Sequence, residues 1–284
     1  MLKDKKIAFI GSGNMAEALI KGLINSSIIM PENILTSDVS KDRLKYVHDA
    51  YNVQIASDNI DAVQKAEIVI LAVKPQVMIK VLDQISETVD NTKLIISIAA
   101  GISLEIIYKA LSKGGSMSMR LIRAMPNTPS LIQAGVTALS NKGSDALEED
   151  IKIASEIFGA VGKVVKVNED LMDAVTGLSG SGPAYVFLII DALADAGVKV
   201  GLPRDISLTL SVQTVLGAAK LVSDTGDHPG KLKDMVTSPG GTTIAGIQSL
   251  EEGSLKTVLI NAVEAATRRA RELGIIQKKQ AGIK

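Results

Sequence analysis

Apolar residues in the first half of the chain fall into short β-branched runs that alternate with longer segments of helical period. Lys6 to Ile10, Ile34 to Ser37, Val53 to Ile55, Ile68 to Ala72, Leu94 to Ile98, Leu121 to Met125, Val136 to Ser140 and Val164 to Val167 each read as a strand. Most are apolar without alternation, as strands are when both faces are covered. Strands separated by helical segments predict βαβ units around a parallel, doubly wound sheet, an α/β fold of the Rossmann-like kind. After about Asn168 the strands stop, and small or aliphatic residues recur at helical spacing from Asp170 to Leu273. Gly201-Leu202-Pro203, Gly226 to Gly230 and Ser238-Pro239-Gly240-Gly241 punctuate that stretch as helix breaks. The pattern therefore divides the chain into an α/β domain, residues 1–167, and an all-helical domain, residues 168–284.

Composition narrows the partners. Lys+Arg and Asp+Glu both total 31, so no basic field draws the chain to nucleic acid or an anionic membrane. Absence of Cys removes disulfide frameworks and thiolate metal clusters, which fits a reducing compartment. The N-terminus runs straight into a strand pattern, and the longest apolar stretch, Ala184 to Ala194 interrupted at Asp191, is shorter than the roughly 20 residues of a membrane-spanning helix. The expectation is a soluble cytoplasmic protein acting on a small molecule. The two imidazoles, His48 in a charged helix and His228 before Pro229, read as solvated or capping groups, and no metal-ligand spacing is present.

Gly11-Ser12-Gly13-Asn14-Met15-Ala16 follows the first strand and opens an apolar helix. Gly11 suits a tight turn, Gly13 lets backbone approach a pyrophosphate, and Ala16 takes the third glycine's place, with helix amides as donors. Asp38, slightly over twenty residues on, reads either as an acceptor for a ribose diol or as a cap for the next helix. Ser40, Lys41 and Arg43 beside it could instead receive a 2′-phosphate, so NADP(H) and NAD(H) both stay open. The strand ends Ala72-Val73-Lys74-Pro75 and Ile98-Ala99-Ala100-Gly101 lie where a dinucleotide is met in such sheets. Lys74 reads equally as a solvent-facing side chain. Arg123 to Pro129 reads as a rigid pocket edge or an ordinary turn. In the helical half, Gly177 to Ala184 and Ser238 to Thr243 each read as a helix N-terminus able to hold a carboxylate.

Five motifs in this order, Phe9 to Met15, Ala72 to Pro75, Met125 to Pro129, Gly177 to Ala184 and Ser238 to Thr243, resemble those of the pyrroline-5-carboxylate reductases from about Lys6 to Leu273. The resemblance implies a helical domain that dimerises, with dimers assembling further, and hydride transfer to the C=N carbon of 1-pyrroline-5-carboxylate to give L-proline. It implies cofactor contacts at Ile10, Gly11, Ser12, Gly13, Asn14, Met15, Asp38, Asn59, Ala72, Val73, Lys74, Pro75, Ile98, Ala99 and Ala100. Substrate contacts are implied at Glu169, Ser238, Gly240, Gly241 and Thr242, with Thr243 as the catalytic residue. Asp38 departs from members that prefer NADPH.

Overall fold

The structure, a computed structural model, describes residues 2–283. Eight strands form one sheet in the order β3-β2-β1-β4-β5-β6-β7-β8: β1 (Ile7–Ile10), β2 (Ile34–Ser37), β3 (Gln54–Ile55), β4 (Ile68–Leu71), β5 (Leu94–Ser97), β6 (Arg120–Met125), β7 (Gly135–Ser140) and β8 (Gly162–Lys166). The helices between them are α1 (Asn14–Asn25), α2 (Lys41–Tyr51), α3 (Asn59–Lys65), α4 (Pro75–Ile85), α5 (Leu104–Ser112) and α6 (Glu148–Gly159). Strands are added outward in one direction from β1 to β3 and in the other from β4 onward, which makes the crevice between the parallel pair β1 and β4 the topological switch point.

Continuous apolar strands arise here because both faces are buried. Ile7, Phe9, Ile68, Ile70, Leu94 and Ile96 enter one core with Leu19, Ile20 and Phe158. Their neighbours Ala8, Ile10, Val69, Leu71 and Ile95 point the other way, into a second core with Met78, Leu82 and Ile107. Each such fully buried Val, Leu, Ile, Phe or Met side chain contributes about 1.5–3 kcal/mol.

One pair departs from the expected parallel sheet: β7 runs antiparallel to β6. The reason is connection length. Only residues 126–134 join the two, with a 3₁₀ turn at Thr128–Ile132, whereas a parallel return needs a crossover of a dozen or more residues. The longer link carrying α6 restores parallel pairing between β7 and β8.

No strand follows β8 among the described residues. Helices α7 (Met172–Val175), α8 (Gly182–Lys199), α9 (Arg204–Thr225), α10 (Pro229–Met235), α11 (Thr242–Glu252) and α12 (Leu255–Gln280) make up the rest, with breaks at the three expected Gly/Pro stretches. Gly177 to Ala184 is different from its expectation. Instead of ending one helix and starting another, it lies in a continuous helical run, where a π-helical turn at Thr176–Gly180 is closed by Ser181 N donating to Thr176 O at 2.9 Å.

Compactness groups Met1–Ser181 with Ala265–Lys284 in one unit and leaves Gly182–Glu264 as a second. The terminal segment belongs with the sheet because Ile283 is buried in the core that holds Leu104 and Ile107. The second unit buries little of itself: among the described residues only Ala194, Ser207 and Ser211 are buried there, while Phe187, Leu188, Leu216 and Met235 are exposed. Helical runs Glu169–Lys199 and Arg204–Thr225 are long and apolar enough, by length and composition, to cross a membrane. Counting uninterrupted apolar residues passes over both, since Asp191, Asp195 and Lys220 divide them.

A buried ion pair ties β6 to α6. Asp150, with no exposed surface, takes Arg120 on both carboxylate oxygens and accepts Leu147 N at 2.8 Å. Burial pushes its carboxyl up, but Arg120 and the Leu147 amide outweigh that and hold it below the ordinary aspartate value. Its contribution is therefore present above pH 3.8 and is lost as pH falls through the lower folded value. Asp150→Asn is expected to lower stability at neutral pH by about 2–3 kcal/mol. Urea midpoints measured between about pH 7 and pH 2.5 should show that gap closing only below the ordinary aspartate value, and a gap that stays constant would contradict the assignment.

Candidate active site

Strand β1 leads into a turn that only glycine can make. Gly11 has φ +95°, and a Cβ there would lie 2.8 Å from Ala72 O. Gly13, with open space around it, is the N-cap of α1 and leaves the helix without a side-chain cap, whereas α2, α3 and α5 are capped by Ser40, Asp58 and Ser103. Amides of the first turn, Asn14 and Met15 among them, are thus left to an external acceptor beside the switch point. This arrangement fits a dinucleotide pyrophosphate.

A groove of about 490 Å³ opens at this end of the sheet, lined among others by Gly11, Gly13, Asp38, Asn59, Ala72, Val73 and Lys74. Ile10 and Ser12 are buried beside it, so Ile10 offers it backbone only. Pro75 starts α4, and Ile98, Ala99 and Ala100 follow β5, the strand next to β4. Asp38 does not cap α2, since Ser40 does so by accepting Arg43 N. Instead its carboxylate accepts Ser12 N at 2.7 Å and Ser40 N at 2.9 Å, joining the glycine turn to the loop after β2. Asn59 accepts Ser37 Oγ and donates to Gln84 at 2.9 Å.

Arg43 does not line this groove. Its Nε donates to Ser12 O, its Nη2 pairs with Glu17 of α1, and its guanidinium lies 5.0 Å from the Tyr46 ring centre. Glu17 also accepts Tyr46 and Tyr51 hydroxyls at 3.1 and 2.8 Å. Burial raises the Glu17 carboxyl, but Arg43 and Tyr51 outweigh it and leave the group below its ordinary value. Burial, together with Glu17, pushes the Tyr51 phenol up to about 12.

A second cavity of about 710 Å³ lies beyond β5 and β6, lined among others by Gly101, Ser103, Arg123, Glu169, Asp173 and Lys278. Glu169 accepts Arg123 Nη1 at 2.9 Å and Leu104 N, at the start of α5, at 3.2 Å. Asp173 is 3.9 Å from Arg123 Nη2. Asn127 does not line it: its amide donates to Ser179 O at 3.2 Å and accepts Val136 N at 2.9 Å, pinning its loop.

In the second unit, Ser238 O accepts Gly241 N at 3.1 Å, with Pro239 and Gly240 (φ +65°) between them, the pattern of a type II turn. Gly241 caps α11 without a side-chain bond, and a Cβ on it would lie 2.3 Å from Ser238 Oγ. Ser238, Gly240 and Thr242 are exposed and Thr243 is half-buried. His228 caps α10 through Gly230 N, and His48 meets Val53 O.

Residues 169–273 match the family described as pyrroline-5-carboxylate reductase dimerisation, and residues 6–101 that described as coenzyme F420-dependent NADP oxidoreductase. A pyrroline-5-carboxylate reductase of Methanosarcina acetivorans is 48% identical over 273 residues, 96% of this chain and 99% of its own. This chain belongs to the pyrroline-5-carboxylate reductase family. Among solved structures, the family member from Coxiella burnetii superposes with a TM-score of 0.88 at 40% identity, covering 95% of this chain and 98% of its own. The Plasmodium falciparum pyrroline carboxylate reductase with NADP bound gives 0.83 at 35% identity, covering 96% and 100%.

Two residues with clear parts in this family member's architecture were not assigned from sequence. Arg123 is a charge set among Leu121, Ile122, Ala124 and Met125 of β6, a pattern that itself marks a buried cation with a partner. Glu17 gave no comparable signal, because its partner Arg43 lies 26 residues away. Arg123→Met should leave Glu169 and Asp173 without their cation and cost about 3–5 kcal/mol, read as a fall in urea midpoint. An unchanged midpoint would mean that the cluster is not held by Arg123.

Proposed function

We propose that this chain reduces 1-pyrroline-5-carboxylate to L-proline with NADPH or NADH, the last step of proline biosynthesis, as a soluble cytoplasmic enzyme. What carries the reading is the family's near full-length likeness to a chain that keeps both an open α1 cradle at the switch point and the Ser238 to Thr243 turn ahead of α11.

Reduced nicotinamide, when bound, supplies the hydride. Gly11, Ser12, Gly13, Asn14 and Met15, with the backbone of Ile10, hold the pyrophosphate, and Asp38 and Asn59 hold the ribose next to the adenine. Ala72, Val73, Lys74 and Pro75, together with Ile98, Ala99 and Ala100, form the walls toward the nicotinamide. Amides of Gly240, Gly241 and Thr242, assisted by Ser238, hold the substrate carboxylate, and Glu169 is a further substrate contact of the family's kind. The Thr243 hydroxyl hydrogen-bonds the ring nitrogen and orients the imine carbon. A cyclic imine can arrive protonated from water, so the reaction asks for no strong general acid from the chain.

The exposed apolar side chains of α8 and α9 support a homodimer in which a second copy covers them, with dimers assembling into a larger homo-oligomer. A dimer interface gives the two long apolar helices a role without a membrane. Loss of nicotinamide absorbance with racemic substrate, together with identification of proline as product, tests the activity. Thr243→Ala is expected to lower kcat/KM by about a hundredfold, with Thr243→Ser retaining most of it. Near-normal kinetics in the alanine variant would remove Thr243 from the mechanism.

A further inference from the structure

The groove beside the glycine turn is lined by the Asp38 carboxylate at the end of β2, where such folds meet the ribose, and Arg43, five residues on, does not line it. Asp38 lines the groove with its carboxylate fixed by two backbone donors, Ser12 N at 2.7 Å and Ser40 N at 2.9 Å. Neither bond can be kept if the side chain swings out to admit a phosphate. A ribose diol has donors for that carboxylate, whereas a phosphate dianion has none and adds like-charge repulsion. Arg43, the guanidinium that could have neutralised a phosphate, is held on the Ser12 carbonyl and on Glu17, and stacks on Tyr46. Releasing Arg43 breaks two bonds, to Ser12 O and to one Glu17 oxygen, while the Tyr46 and Tyr51 hydroxyls on the other oxygen keep Glu17 in place to hold it. Lys41, closer to Asp38 in sequence, does not line the groove, and Lys74 and Lys80, which do, belong to its β4–α4 side rather than to the loop that carries Asp38.

We infer that this chain selects NADH over NADPH, with Asp38 as the ribose acceptor and Glu17 as the positioning residue that withholds Arg43 from a 2′-phosphate. The inference rests on the groove being a nicotinamide dinucleotide site, and it departs from the relative whose structure has NADP bound. It makes the ion pair between α1 and α2 a determinant of cofactor choice as well as of packing.

Calorimetric titration of the full-length chain with NADH and with NADPH, without imine, reads both affinities apart from catalysis. NADH is expected to bind tighter by about tenfold or more. Asp38→Ser should bring the ratio toward one, and Glu17→Gln should raise NADPH affinity relative to NADH by about three- to tenfold. Equal or tighter binding of NADPH by the unaltered chain overturns the inference and leaves the reductase reading standing. Binding of neither dinucleotide overturns the reading beneath it. If Glu17→Gln melts early, Asp38→Ser decides alone: a ratio unchanged in that variant overturns the part given to Asp38.

Discussion

The bridge made by the Asp38 carboxylate between Ser12 N and Ser40 N is the interaction on which the cofactor half depends. It fastens the glycine turn after β1 to the loop after β2 at the one place where the sheet's winding reverses. Gly11 must be glycine for the turn to pass Ala72, Gly13 must leave space in front of α1, and Asp38 holds the two loops at the separation this requires. Everything else at the groove is arranged around that bridge. Arg43 reaches across to the same turn from α2, and Glu17 and two tyrosines hold it there. The Arg43 charge is thus paired within the protein, and the group that lines the groove from the β2 side is a carboxylate.

A different constraint governs the second unit. Its helices pack at small residues, with Ser207 Oγ donating to Ala194 O at 2.6 Å, and leave their larger apolar side chains outside. A unit that buries three described residues has no core of its own in a single copy, so its stability must come from what covers it. The same surface property produces an exposed apolar helix pair, a membrane-like composition and a match to a dimerisation family, and the third explains the first two.

Much of this was legible in the sequence. All eight strands fall at or within a residue or two of the runs that place them, most sharply β1, β2, β4 and β5, because strands buried on both faces carry the strongest local pattern a sequence can have. Helix breaks at Pro203, Pro229 and Pro239 are equally local. Direction of β7 was not legible as a pattern of side chains, since it follows from the shortness of residues 126–134. Continuity of the helix through Gly177 to Ala184 escaped for a related reason: glycines and serines usually end helices, and here a wide turn absorbs them. At the candidate site, the residues of the turns were readable one by one. That Asp38 and Arg43 both reach the glycine turn was not, because those bonds join segments more than twenty residues apart. Arg123 stood in plain view as a charge within an apolar strand, yet its partners Glu169 and Asp173 could be known only from the fold.

In the proposed reaction hydride passes from a reduced nicotinamide to the imine carbon of a pyrroline carboxylate. Incubating the chain with 1-pyrroline-5-carboxylate and NADH deuterated at the transferring position of nicotinamide C4, then examining the product by NMR and mass spectrometry, tests it most directly. The account predicts L-proline with one deuterium at C5, the former C=N carbon. Unlabelled proline, deuterium at another carbon, or consumption of the cofactor without proline would contradict it.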